Sequence, residues 1–163
     1  MHTIYSRLKE HFPFIDTRAA TEDDFFEFCA DNAITVEFGP EVREGIYAVG
    51  DDGEHRIHAI FLNNRLAGFS LRYVMFHEIG HYLFHMPGRT RKKDVTQFGF
   101  RNCGRNHYEA EITAALLLLP LCDLEDVLMS GAATHNEDLA RLIGTRLECH
   151  SLHKYGDRPA DRI

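Results

Sequence analysis

The segment His77-Glu78-Ile79-Gly80-His81 constrains this chain more than any other. Residues four apart on an α-helix lie on one face, one turn apart. Two imidazoles so placed can grip a single tetrahedral ion. Glu78, one position after the first imidazole, can reach a water beside that ion without ligating the ion itself. Its carboxylate can then take the water's proton as the water attacks a carbonyl. With 11 histidines in 163 residues, such a pattern arises by chance about 0.06 times, so its surroundings have to support it. They do. Ser70 can cap a helix over 71–85, and Pro87-Gly88 can stop it. Leu71, Met75, Ile79 and Tyr82 supply an apolar stripe to bury. Gly80 costs such a helix about 1 kcal/mol relative to Ala, which a close approach by another segment would explain.

Catalytic zinc normally takes three protein ligands and keeps one position open. The candidates for the third lie in His107-Tyr108-Glu109-Ala110-Glu111, at the start of a second strong helix over 106–119 that Pro120 ends. His107 and Glu111 share a face. Either His107 ligates and Glu111 supports an imidazole from behind, or Glu111 ligates directly. Glu109 is rotated by about 200° from His107 and reads as a solvated first-turn carboxylate. Cys103, in a loop and without a cysteine partner, is a weaker candidate. His85, four residues beyond His81, reads as a helix-end histidine favoured by the dipole, with support of a ligand as the second reading.

Around these helices the chain reads as one domain. Thr21 followed by Glu22, Asp23 and Asp24 signals a capped helix within an N-terminal helical part, 1–32, and Phe25 should face the core. Runs at 34–38, 45–49 and 56–62 read as strands, with a turn at Gly50-Asp51-Asp52-Gly53. Short connections predict an antiparallel meander over 33–64, with strand 56–62 open for pairing with an extended peptide. Residues 88–106 read as a long connection carrying Arg89, Arg91, Lys92, Lys93, Arg101 and Arg105. Helices follow at 123–129 and 136–143, with a last piece over 147–155 and a polar tail. The expected class is α+β: a small three-stranded antiparallel sheet packed on the metal-site helices, 70–120, and further C-terminal helices, 121–163.

A net charge of −7 argues against a nucleic-acid partner, which usually meets a basic face. No apolar run approaches the roughly 20 residues needed to span a bilayer. The four isolated cysteines and the absence of an export signal point to a cytoplasmic protein with reduced thiols. There is no phosphate loop, nucleophile elbow or dinucleotide fingerprint.

The motif at 77–81, then Glu109-Ala110-Glu111, Ala114-Ala115 and Leu117-Leu118-Leu119-Pro120, together resemble the ImmA/IrrE family of metallopeptidases. The resemblance covers roughly residues 30–130, and the later A-A-x-L-L-L-P run gives it its specificity. It implies a minimal zincin-like fold, one zinc ion and peptide-bond cleavage. It further implies a regulatory role against a protein partner such as a helix-turn-helix repressor of a phage or mobile element. In the family the third ligand is a Glu at the position of His107, with Asn or Asp at that of Glu111. Both positions differ here, so the ligand is His107 or Glu111. A regulator that binds its partner without cleaving it is the alternative reading.

Overall fold

The computed structural model describes residues 2–51, 55–85, 96–99, 105–130 and 137–156. In chain order the elements are α1 (His2–His11), α2 (Glu22–Asp31), β1 (Ile34–Gly39), β2 (Gly45–Asp51), β3 (Arg56–Asn63), α3 (Gly68–His85), β4 (Thr96–Gly99), α4 (Arg105–Leu118), α5 (Leu121–Met129) and α6 (Glu137–Gly156). This is the expected α+β class, with a small sheet packed on the helix that carries the motif.

Helix α2 starts where its sequence says it should. The Thr21 hydroxyl accepts the Asp24 N–H at 3.3 Å, and the Asp24 carboxylate accepts the Thr21 N–H at 2.7 Å, closing a capping box. Both Asp24 oxygens also accept from the Arg18 guanidinium at 2.7 Å, which with the Thr21 bonds holds the carboxyl down at about 2. Phe25, Phe28 and Cys29 turn inward, and Phe28 stacks on Phe12 from the segment after α1.

The sheet departs from the predicted meander. Its order is β1-β3-β2-β4. β2 and β3 pair antiparallel, as a hairpin should, but β1 runs parallel to β3 on the far side. Residues 40–44 therefore arch over the end of β3 instead of turning back beside β1. Asn63 fastens that arch: its amide donates to the carbonyls of Val42 at 2.8 Å and Arg43 at 3.0 Å, while its own N–H reaches the Glu44 carbonyl at 2.9 Å. A connection this short looks like a tight turn in sequence, and only these long-range bonds reveal the enclosed strand. β3 is consequently interior, so it has no open edge for a peptide. A fourth strand, β4, lies on the outer side of β2, inside the stretch read as a loop.

Helix α3 begins at Gly68, whose φ of +59° suits glycine, so Ser70 sits in the first turn and not before it. From Tyr73 to His81 every residue is buried. An amphipathic surface helix would show one apolar stripe; this one is enclosed by β2 and β3, by α4 and by α2. Gly80 is what lets α4 approach. A Cβ there would lie 2.7 Å from the Ala110 Cα and 3.1 Å from its Cβ. The close approach inferred from a glycine inside a helix is thus the α3–α4 contact.

Helix α4 ends before Pro120, and buried Arg146 donates from Nε to the Leu119 carbonyl at 2.8 Å, satisfying a free C-terminal carbonyl with a cation. Helix α6 is continuous through Gly144, where two separate pieces were expected. Burial of Leu142, Ile143, Arg146 and Cys149 on both sides of Gly144 outweighs its weak helix propensity. Cys29, Cys122 and Cys149 are free thiols, and no described helix is long and apolar enough to cross a membrane. The expected stop at Pro87-Gly88, the turn at Asp52-Gly53, the basic residues 89–93 with Arg101, Cys103 and the tail after Gly156 lie outside the described residues.

Two outcomes follow from this packing. Gly80→Ala, which would stabilise an exposed helix by about 1 kcal/mol, should here cost about 1–3 kcal/mol in denaturant unfolding through overpacking against Ala110. A neutral or stabilising result would contradict the close approach. Asp24, with its carboxyl held below its ordinary value, stabilises the fold above about pH 4 and loses that effect as pH falls toward 2. The stability gap between the native chain and Asp24→Asn should therefore be constant at neutral pH and shrink across that acid window.

Candidate metal centre

His77 and His81 project from α3 and His107 from the first turns of α4. One ring nitrogen from each lies within 4.8 Å of the other two. The ring centroids are 4.9 Å apart for His77 and His81, 5.3 Å for His77 and His107, and 5.0 Å for His81 and His107. His107 reaches the other two because it stands three residues before Ala110, on the α4 face that Gly80 admits. His77 and His81 are fully buried. Burial, followed by the neighbouring imidazoles, holds His77 well below its ordinary value; for His81 burial, His85 and His107 bring it to about 3. Both rings are therefore neutral at physiological pH, the form that ligates a metal.

Glu78 faces the sheet. Its Oε2 accepts the Tyr47 N–H at 2.7 Å, from β2. The other oxygen, Oε1, is buried with no hydrogen-bond partner among the described residues. Gly45 makes room for this: a Cβ there would collide with Val74 and stand 3.0 Å from Glu78 Oε1. Burial, reinforced by the nearby Glu44 charge and opposed by the Tyr47 N–H, pushes the Glu78 carboxyl well above its usual range.

Around the cluster, several polar contacts correct the sequence reading. His85 is the last residue of α3, as read, but its side chain is only 5% exposed and its Nδ1 lies 3.0 Å from His81 Nδ1, which favours its second reading, support of a ligand. Its Nε2 lies 2.9 Å from Glu109 Oε2, so Glu109 is not simply a solvated carboxylate. Glu111 lies outside the three-imidazole group; its carboxylate is 3.8 Å from Arg141 of α6. Arg141 also donates to the Tyr73 hydroxyl at 3.5 Å, and the Tyr73 ring packs 5.9 Å from that of His77. Sequence reasoning missed Tyr47 because its contribution is a backbone N–H, which carries no residue-type signal. Gly45, a glycine opening a strand, was the signal available for the close approach of Glu78.

The donor set suits a divalent ion of borderline softness: three imidazoles, two of them held neutral, with a buried carboxylate oxygen that meets no donor among the described residues. Three imidazole nitrogens among the described residues leave a tetrahedral ion room for a further ligand.

The chain matches the family described as the IrrE N-terminal-like domain, peptidase M78, over residues 37–148, a span that runs from β1 into α6 and contains the whole cluster. Neither the curated proteins nor the solved structures yield a significant match. By the extent of that match, the chain belongs to the M78 family of metallopeptidases with an IrrE N-terminal-like domain.

Proposed function

We propose that this protein is a zinc-dependent endopeptidase in which His77, His81 and His107 hold the ion and Glu78 is the general base. The observation that carries the reading is a three-imidazole cluster with, one position after its first histidine, a buried Glu78 whose Oε1 meets no hydrogen-bond donor among the described residues. A zinc ion bound there would polarise the scissile carbonyl and acidify a water. The chain's own residues do the rest. Glu78 Oε1 takes the proton of the attacking water and later passes it to the leaving amine. The Tyr47 N–H on Oε2 keeps the carboxylate from rotating. Enclosure by β2 and α4 excludes bulk water, so the proton moves between fixed groups.

The substrate we propose is a protein partner, with a helix-turn-helix repressor of a phage or mobile element as the family-based choice, met in the cytoplasm. Because β3 is interior, an extended peptide would pair with the outer side of β4, the strand next to the one that touches Glu78. The net charge of −7 favours a protein over a nucleic acid as partner.

Purified protein loaded with zinc should cleave a candidate repressor, and a chelator should stop it. Glu78→Gln, which keeps the acceptor for Tyr47, should retain zinc yet lose at least about 100-fold in cleavage rate. Cleavage at the native rate by that variant would remove Glu78 from the mechanism. A retained biological effect without cleavage would favour a binding regulator instead. For the third ligand, His107→Ala should weaken zinc binding by more than about 100-fold, beyond what loss of a supporting residue does, whereas Glu111→Gln should leave it near the native value. The reverse pattern would assign the ligand to Glu111.

A further inference from the structure

We propose that Glu109 and His85 form a positioning relay that fixes the tautomer of His81, directing its lone pair from Nε2 toward the metal site. The inference rests on the reading of the three-imidazole cluster as a metal centre, and it gives a role to two residues that the chemistry of Glu78 does not use.

Proton bookkeeping carries the argument. An ionised carboxylate can only accept hydrogen bonds. Glu109 Oε2 lies 2.9 Å from His85 Nε2, so His85 donates from Nε2. A neutral imidazole has one donor and one acceptor, which makes His85 Nδ1 the acceptor. That atom lies 3.0 Å from His81 Nδ1, so His81 donates from Nδ1. The remaining nitrogen of His81, Nε2, then carries the lone pair. The opposite polarity would place a second proton and a full charge on the His85 ring, which packs 5.1 Å from the His81 ring with 5% of its side chain exposed.

The relay also has a mechanical side. Glu109 stands two residues after His107 on α4, while His85 and His81 stand one turn apart on α3. The hydrogen bonds therefore tie the turn that supplies the third imidazole to the helix that supplies the first two. Thr113, buried against Gly80, donates to the Glu109 carbonyl at 2.9 Å and steadies that turn. Glu109 points away from the cluster by helical geometry, yet reaches a ligand through one intervening ring. Metal-bound histidines commonly donate their second N–H to a carboxylate directly; here the carboxylate acts at one remove.

The test compares the native chain with Glu109→Ala, Glu109→Gln and His85→Leu, each checked for native circular dichroism. Glutamine keeps a carbonyl acceptor for His85, whereas alanine and leucine break the chain. Imidazole nitrogen shifts are recorded on metal-free protein, and zinc affinity is read by competition with a chromophoric chelator. The relay predicts His81 protonated on Nδ1 in the native chain and in Glu109→Gln, and a mixture of tautomers in Glu109→Ala and His85→Leu. It predicts zinc affinity about 10–100-fold weaker in those last two variants, with Glu109→Gln close to native. Native His81 protonated on Nε2, or broken-chain variants with native spectrum and affinity, would overturn the relay alone. A native chain that takes up no zinc would overturn the metal centre itself, and the metal-free spectra would still decide the tautomer.

Discussion

The contact between Gly80 and Ala110 is the constraint on which the rest of the molecule depends. Two imidazoles on one helix are a common arrangement, and without a third they make a poor catalytic site. The third comes from α4, and α4 can deliver it only by lying nearly backbone to backbone against α3. A glycine on one side and an alanine on the other permit that approach. The same contact buries His77 and His81, which keeps them neutral and ready to ligate.

The opposite side of α3 meets the sheet, and there the logic repeats. Gly45 removes a side chain so that Glu78 can lie against β2, and the Tyr47 N–H holds one carboxylate oxygen. Burying a carboxylate with one oxygen unpaired is unfavourable for folding alone. Its persistence between two tightly packed layers makes sense as local cost retained for chemistry. A core of aromatic and aliphatic side chains from α1, α2, the sheet and α4 supplies the stability that such a site draws upon.

How much of this the sequence disclosed depends on the range of the interaction. Local signals were legible: the helix cap at Thr21, the three strands, the two metal-site helices, the break at Pro120 and the meaning of Gly80. The α+β class and the ImmA/IrrE resemblance were legible as well, from the spacing at 77–81 and the run ending at Pro120. The path of β1 was not, because residues 40–44 look like any short turn until Asn63 is placed beneath them. β4 was hidden in a basic stretch without alternating apolar residues. His85 and Glu109 were each read alone, as a helix-end histidine and a solvated acid. Their pairing requires two helices to be docked, and helical periodicity describes one helix at a time. The third ligand stood open between His107 and Glu111 for the same reason. Docking draws His107 in with His77 and His81 and leaves Glu111 beside Arg141.

X-ray absorption at the zinc edge of the loaded, substrate-free protein tests the central claim most directly. Convergence of the three rings predicts a shell of four light neighbours at about 2.0–2.1 Å, with the multiple-scattering pattern of three imidazoles and one further oxygen. A shell containing sulfur at about 2.3 Å, or one with only two imidazoles, would contradict the account.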